Sequence, residues 1–190
     1  MLRRLPLAAL AAATLAACGD NNTLRASVLV APDTLVAYAL SGTSPVYPSG
    51  LNTVARTVVR VDGSASFDIA FDIRNADSVM VYPVKVLVAP LTGAPTVGLQ
   101  TVSGTFESLT RAPGGYYRPD TAMTVAVGET FAILATRNGG TAVCFALATP
   151  QVYAKVVVDS VNQGTHTIHF RQVVDPNCGY RSFVTGLPSN

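Results

Sequence analysis

Charge is scarce in this chain. Charged residues make up 13% of its 190 residues, and the formal net charge is +2. Nucleic-acid recognition needs a concentrated basic face, and no lysine or arginine run supplies one. Histidine is scarcer still, with only His166 and His169. A serine triad would have to use one of them, and two histidines among many serines and aspartates combine on paper by chance. On a strand, positions three apart face opposite sides, so the pair does not converge on one site. Glu107 and Glu129 are the only glutamates. Nucleophile-elbow, phosphate-loop and dinucleotide fingerprints are all missing.

Apolar residues, in contrast, make up 49% of the chain. That excludes a disordered chain and is enough for a sizeable core, and the length suits one domain.

The N-terminus reads as an address. Arg3 and Arg4 precede residues 5–17, an apolar stretch interrupted only by Pro6 and Thr14. It is shorter than the ~20 residues a membrane-spanning helix needs and matches the apolar part of a secretory signal. It ends in Leu15-Ala16-Ala17-Cys18. These residues resemble the lipobox of bacterial lipoproteins, a likeness confined to the N-terminus. The resemblance implies a signal peptide over 1–17, cleavage before Cys18, and acylation of the Cys18 thiol and of the new amine. Two or three acyl chains anchor stably where one is marginal. The expected partner is therefore a membrane. In that class, an aspartate directly after the cysteine retains lipoproteins in the inner membrane of enteric bacteria. Here Gly19 holds that position and Asp20 follows, so the resemblance points to the outer membrane. Residues 18–23 read as the lipidated N-terminus and tether, whose five residues after Cys18 reach at most about 17 Å. Without Arg3 and Arg4, 11 basic and 11 acidic residues remain, so the charge excess belongs to the export signal.

Cys144 and Cys178 are the remaining cysteines. An even remainder in an exported chain reads as one disulfide. It would close a loop of about 35 residues, worth roughly 3–4 kcal/mol in the chain-entropy model. Two buried thiols are the alternative. Zinc fits poorly, because close cysteine pairing is missing.

Residues 24–190 read as one all-β domain. Alternation and β-branched runs dominate, broken by Gly, Pro, Asn and Asp. Residues 66–73 are the clearest strand, with Phe67, Ile69, Phe71 and Ile73 on one face and Ser66, Asp68, Ala70 and Asp72 on the solvent face. Residues 56–61 should form a hairpin with it through Asp62-Gly63-Ser64. Residues 24–30 and 35–40 flank an expected Pro32-Asp33 turn. Further strands are expected at 78–88 with Pro83 as an edge or bulge, and at 96–106, 123–127, 130–137, 141–148, 152–161, 165–174 and 180–185. About ten strands at this spacing suit an immunoglobulin-like β-sandwich, with a small β-barrel as the alternative. In a flat meander over 141–185, two strands would hold Cys144 and Cys178 about 10 Å or more apart. A disulfide, which needs Cα atoms within about 7 Å, then requires the segment to fold across the sheets or around a corner.

Catalytic and metal chemistry find no converging set. Asp68 and Asp72 stand about 13 Å apart along a strand, too far for a glycosidase pair. Asp62, Asp68, Asp72 and Asp77 lack the ligand spacing of a calcium loop. No catalytic residue, metal or cofactor is expected. The one binding signal is the Gly/Pro-rich loop with Tyr116, Tyr117 and Arg118, a stacking platform for a sugar or peptide with at most one tyrosine exposed if it is a strand. The sequence thus reads as a non-enzymatic, lipid-anchored envelope protein with a structural or partner-binding role. The alternative is a carbohydrate- or peptide-binding module using the Tyr116–Arg118 loop.

Overall fold

The alternation in the sequence becomes two facing sheets. The computed structural model describes residues 26–62, 66–88, 96–136 and 151–188. Its elements are β1 (Ala31–Tyr38), β2 (Gly50–Asn52), β3 (Thr57–Val59), β4 (Ile69–Asn75), β5 (Ser78–Pro83), α1 (Val84–Leu87), β6 (Thr96–Thr101), β7 (Met123–Ala126), β8 (Thr130–Thr136), β9 (Gln151–Asn162) and β10 (Thr167–Asp175). The first sheet runs β1-β10-β9-β8-β6 and the second β3-β2-β4-β5-β7, all antiparallel. This is the expected β-sandwich, not a closed barrel.

Side chains from both inner faces interdigitate, the general solution for burying one face of each sheet. Phe131 and Ile133 of β8, Val156 of β9 and Phe170 of β10 meet Leu51, Ile69, Phe71 and Val81 of the other sheet. Phe71 and Phe170 bridge the sheets at 4.9 Å between ring centroids.

Several strand boundaries differ from the sequence expectation. Residues 31–38 form one strand straight through Pro32 and Asp33, where a turn was expected. Proline is tolerated because β1 is an edge strand and needs no donor on its open side. Residues 24–25 lie outside the described residues, and Val30 contributes only an isolated bridge. The 56–61 strand shrinks to β3, which pairs with β2 and not with β4. Arg56 is no strand residue: it takes φ +58° in the turn between β2 and β3. Asp68 is not on a solvent face. It is fully buried, its carboxylate accepting the Thr53 amide at 2.6 Å. Pro83 ends β5, and one helical turn, α1, replaces the rest of the expected 78–88 strand. The expected 96–106 strand stops at Thr101. The expected 180–185 strand is reduced to one bridge, Arg111 with Ser182, and a second bridge, Val30 with Gly186, follows just beyond it. The 141–148 strand, with Cys144, lies outside the described residues.

A third layer covers the outer face of the first sheet. The loop 102–122 and the segment after β10 bring Phe106, Ala112 and Phe183 over Tyr153, Val157 and Val173. Residues 152–158 of β9 are therefore buried on both faces, which explains their near-continuous apolar run.

Asn177 ties the entering chain to this layer. Its Oδ1 accepts the amides of Ser27 and Val28 at 2.9 and 3.0 Å, and its Nδ2 donates to Val28 O and Asp175 Oδ1 at 2.8 Å each. Asn177→Ala removes these four side-chain bonds together and leaves the part-buried Ser27 and Val28 main-chain groups without them. We expect a loss of about 2–4 kcal/mol in urea unfolding, with faster amide exchange at Ser27 and Val28. Unchanged exchange there would refute the pinning role.

Candidate binding groove

A sandwich has two open sides, and this one treats them differently. On the β1–β3 side, Arg56 reaches across from the second sheet. Its Nε and Nη2 donate to Asp33 Oδ2 and Oδ1 at 2.7 and 2.8 Å, and Nη2 also donates to Ala31 O at 2.9 Å. Such a bidentate arginine–carboxylate pair has a defined geometry as well as energy.

The β6–β7 side has a groove instead. Tyr116 and Arg118, Gln100 and Thr101 of β6, and Thr121 and Met123 line it around about 300 Å³. The Arg118 amide donates to Leu99 O at 2.9 Å, and the Leu99 amide donates back to Arg118 O at 3.0 Å. The loop thus adds a one-bridge edge to β6. At Tyr116 the backbone turns to φ +68°, which ends the pairing and leaves the ring 95% exposed. A positive φ is uncommon for a bulky residue and marks a position held by its surroundings.

Tyr117 goes the other way. Its ring packs against Tyr153 at 6.1 Å between centroids, and its hydroxyl donates to Pro113 O at 3.1 Å. Burial pushes its phenol well above the usual range. Gly98 of β6 makes this possible, since a Cβ there would lie 2.6 Å from the Tyr117 Cβ. Arg118 is exposed. The structure therefore brings Tyr116 and Arg118 to one groove and assigns Tyr117 to packing. At Gln100, beside them, the side-chain Oε1 is buried without a hydrogen-bond partner among the described residues.

Sequence reasoning missed the residue that supports this loop. Lys155 of β9 is almost fully buried beneath it and donates to the carbonyls of Phe106 and, at 2.9 Å, Leu109. Its ammonium also lies 4.4 Å from the centre of the Phe106 ring. The turn that offers these carbonyls is closed by Thr105 and Ser108, each side-chain oxygen accepting the other's amide. Desolvation lowers the Lys155 pKa. Above the ring, Arg171 binds Asp159 at 3.0 Å and Glu107 at 3.1 Å. The available sequence signal was one of only two lysines inside an apolar run.

The other candidates do not converge. His166 is half-buried at φ +55° beside Gly42, while His169 is exposed on β10. Asp72 accepts the amide and hydroxyl of Ser41, and Asp62 pairs with Arg60. Among the described residues no three metal-ligating side chains cluster. No helix among them is long and apolar enough to cross a membrane. Cys178 is buried in the turn after β10, and its expected partner Cys144 lies outside the described residues. A scan against protein-family models, a search of curated proteins and a search of solved structures each returned no match.

Lys155→Met leaves two loop carbonyls without a donor, and we expect a cost of about 1–3 kcal/mol with faster amide exchange over residues 105–112. The pH dependence has a definite sign. Because the folded-state pKa is lowered, the unfolded chain binds more protons between that value and about 10.4, so the lysine's contribution rises with pH across this window. The stability gap between wild type and Lys155→Met should widen there, and a narrowing gap in urea titrations would refute the assignment.

Proposed function

We propose that the protein is a lipid-anchored cell-envelope protein whose β-sandwich is a non-enzymatic structural or partner-binding module. The observation that carries this is Leu15-Ala16-Ala17-Cys18 after Arg3, Arg4 and the apolar stretch 5–17. The small residues give a peptidase access to the backbone, and the thiol is the acyl acceptor. Gly19 after the cysteine favours the outer membrane over the inner. An exported chain also suits a Cys144–Cys178 disulfide. It gains support from the turn that holds Cys178, where the Gly179 amide donates to Gln151 O at 3.0 Å and returns the chain to the start of β9, next in sequence to the segment that contains Cys144.

A second reading, a carbohydrate- or peptide-binding module, is favoured by the Tyr116–Arg118 groove. An exposed aromatic ring beside an arginine and an amide without a partner suits a sugar face or an extended peptide. The partner is then a glycan or a protein; a mature chain with equal basic and acidic counts offers nucleic acid little.

Intact mass of the protein extracted from membranes should show acylation on Cys18 and the loss of two hydrogens between Cys144 and Cys178. Cys18→Ser should abolish both the acylation and the membrane fractionation. A Cys18→Ser protein that still fractionates with membranes would sink the anchor. For the groove, Tyr116→Ala should abolish retention on arrayed oligosaccharides or peptides without moving the melting temperature, because the ring makes little contact. Tyr117→Ala should destabilise by about 2–3 kcal/mol. Ligands still retained by Tyr116→Ala would rule the groove out.

A further inference from the structure

The end of the sandwich where the chain enters carries its own surface chemistry. The amides of Ser27 and Val28 are held by Asn177, and the Val30 amide donates to Gly186 O at 2.9 Å. Ser27 stands nine positions after Cys18. Fully extended, that stretch spans at most about 30 Å, so an anchor on Cys18 keeps this end of the domain near the lipid. β1 and β9 start at this end and β10 finishes there, as their registers show. The β9–β10 hairpin and the loop after Tyr38 lie at the opposite end.

Three aliphatic side chains are exposed here. Leu29 and Leu187 flank the Val30–Gly186 bridge, each 61% exposed, and Val184 is 56% exposed. Val184 also lines a shallow depression of about 230 Å³ with Arg111 and Arg181 on its wall. The Arg181 Nε donates to Ala112 O at 2.9 Å, which fixes the side chain without neutralising it. Neither arginine forms an ion pair among the described residues. Among the described residues no carboxylate lines the depression. Aliphatic groups beside unneutralised arginines are what a headgroup layer with anionic phosphates accepts.

We propose that this end is a membrane-docking surface. Leu29, Val184 and Leu187 enter the headgroup region of an anionic bilayer, and Arg111 and Arg181 lie over lipid phosphates. The inference rests on the lipid-anchor reading and deepens it: the anchor recruits the domain, and the surface sets its orientation. The β9–β10 hairpin end then faces away from the bilayer.

The chain has no tryptophan, so one introduced ring reports from one place. The lipidated protein is reconstituted in vesicles of phosphatidylcholine and phosphatidylglycerol carrying brominated acyl chains. Leu187→Trp should show blue-shifted emission and lose most of it to bromine quenching, and Leu29→Trp serves as a second probe at the same end. Tyr47→Trp, also at an exposed position but at the far end, should keep its emission. Combining Arg111→Gln with Arg181→Gln, or omitting phosphatidylglycerol, should relieve the quenching seen with Leu187→Trp. If the vesicles float with the protein but both near-end probes are quenched no more than the far-end probe, docking is overturned and the anchor stands. If the wild-type protein does not float with vesicles, the anchor fails and docking fails with it.

Discussion

Residues 152–158 of β9 have no face left for water, and much of the molecule follows from that constraint. Their inner side chains fill the space between the sheets, and their outer ones lie under the loop 102–122 and the segment after β10. Lys155 sits in that outer layer, and a buried ammonium demands acceptors. The carbonyls of Phe106 and Leu109 meet the demand. Loop and lysine therefore constrain each other. The loop path also delivers residues 116–118 to the edge of β6. A polar requirement in the covering layer thus shapes an exposed groove at the rim.

The two open sides divide the labour of the sandwich. Arg56 and Asp33 fasten the β1–β3 side with a bidentate pair about three-quarters shielded from water. The β6–β7 side is spanned by the groove, whose wall turns one tyrosine inward and its neighbour outward. The inward ring fixes the loop, so the outward ring is held out to solvent on a backbone that is already ordered.

Fold class was legible because alternation survives wherever one face is buried. Long strands with that pattern, β8 and β10 among them, lie close to where periodicity puts them. The misreadings share one cause: sequence shows local preference and not what covers an edge or a face. Pro32 and Asp33 carry turn chemistry, yet an edge strand accommodates both, and Asp33 is claimed by Arg56. Asp68 alternates as a solvent residue but turns inward to accept the Thr53 amide. Residues 180–185 have strand composition but cross an outer layer where they form a single bridge. At the groove, sequence could say that at most one tyrosine would be exposed. Which one depended on Gly98 and on the positive φ at Tyr116. Lys155 showed only as a lysine inside an apolar run; its partners are main-chain carbonyls that every sequence has.

The antiparallel pairing of β1 with β10 bears on mechanics. β1 is the first strand among the described residues, and its eight residues all lie in register with β10. Hydrogen bonds of an antiparallel ladder run perpendicular to the strands. A pull on the N-terminus along β1 therefore loads that ladder in shear, with all its bonds strained together and none peeled off in turn. Tension applied through the N-terminal chain along this strand meets the ladder in the direction it resists best.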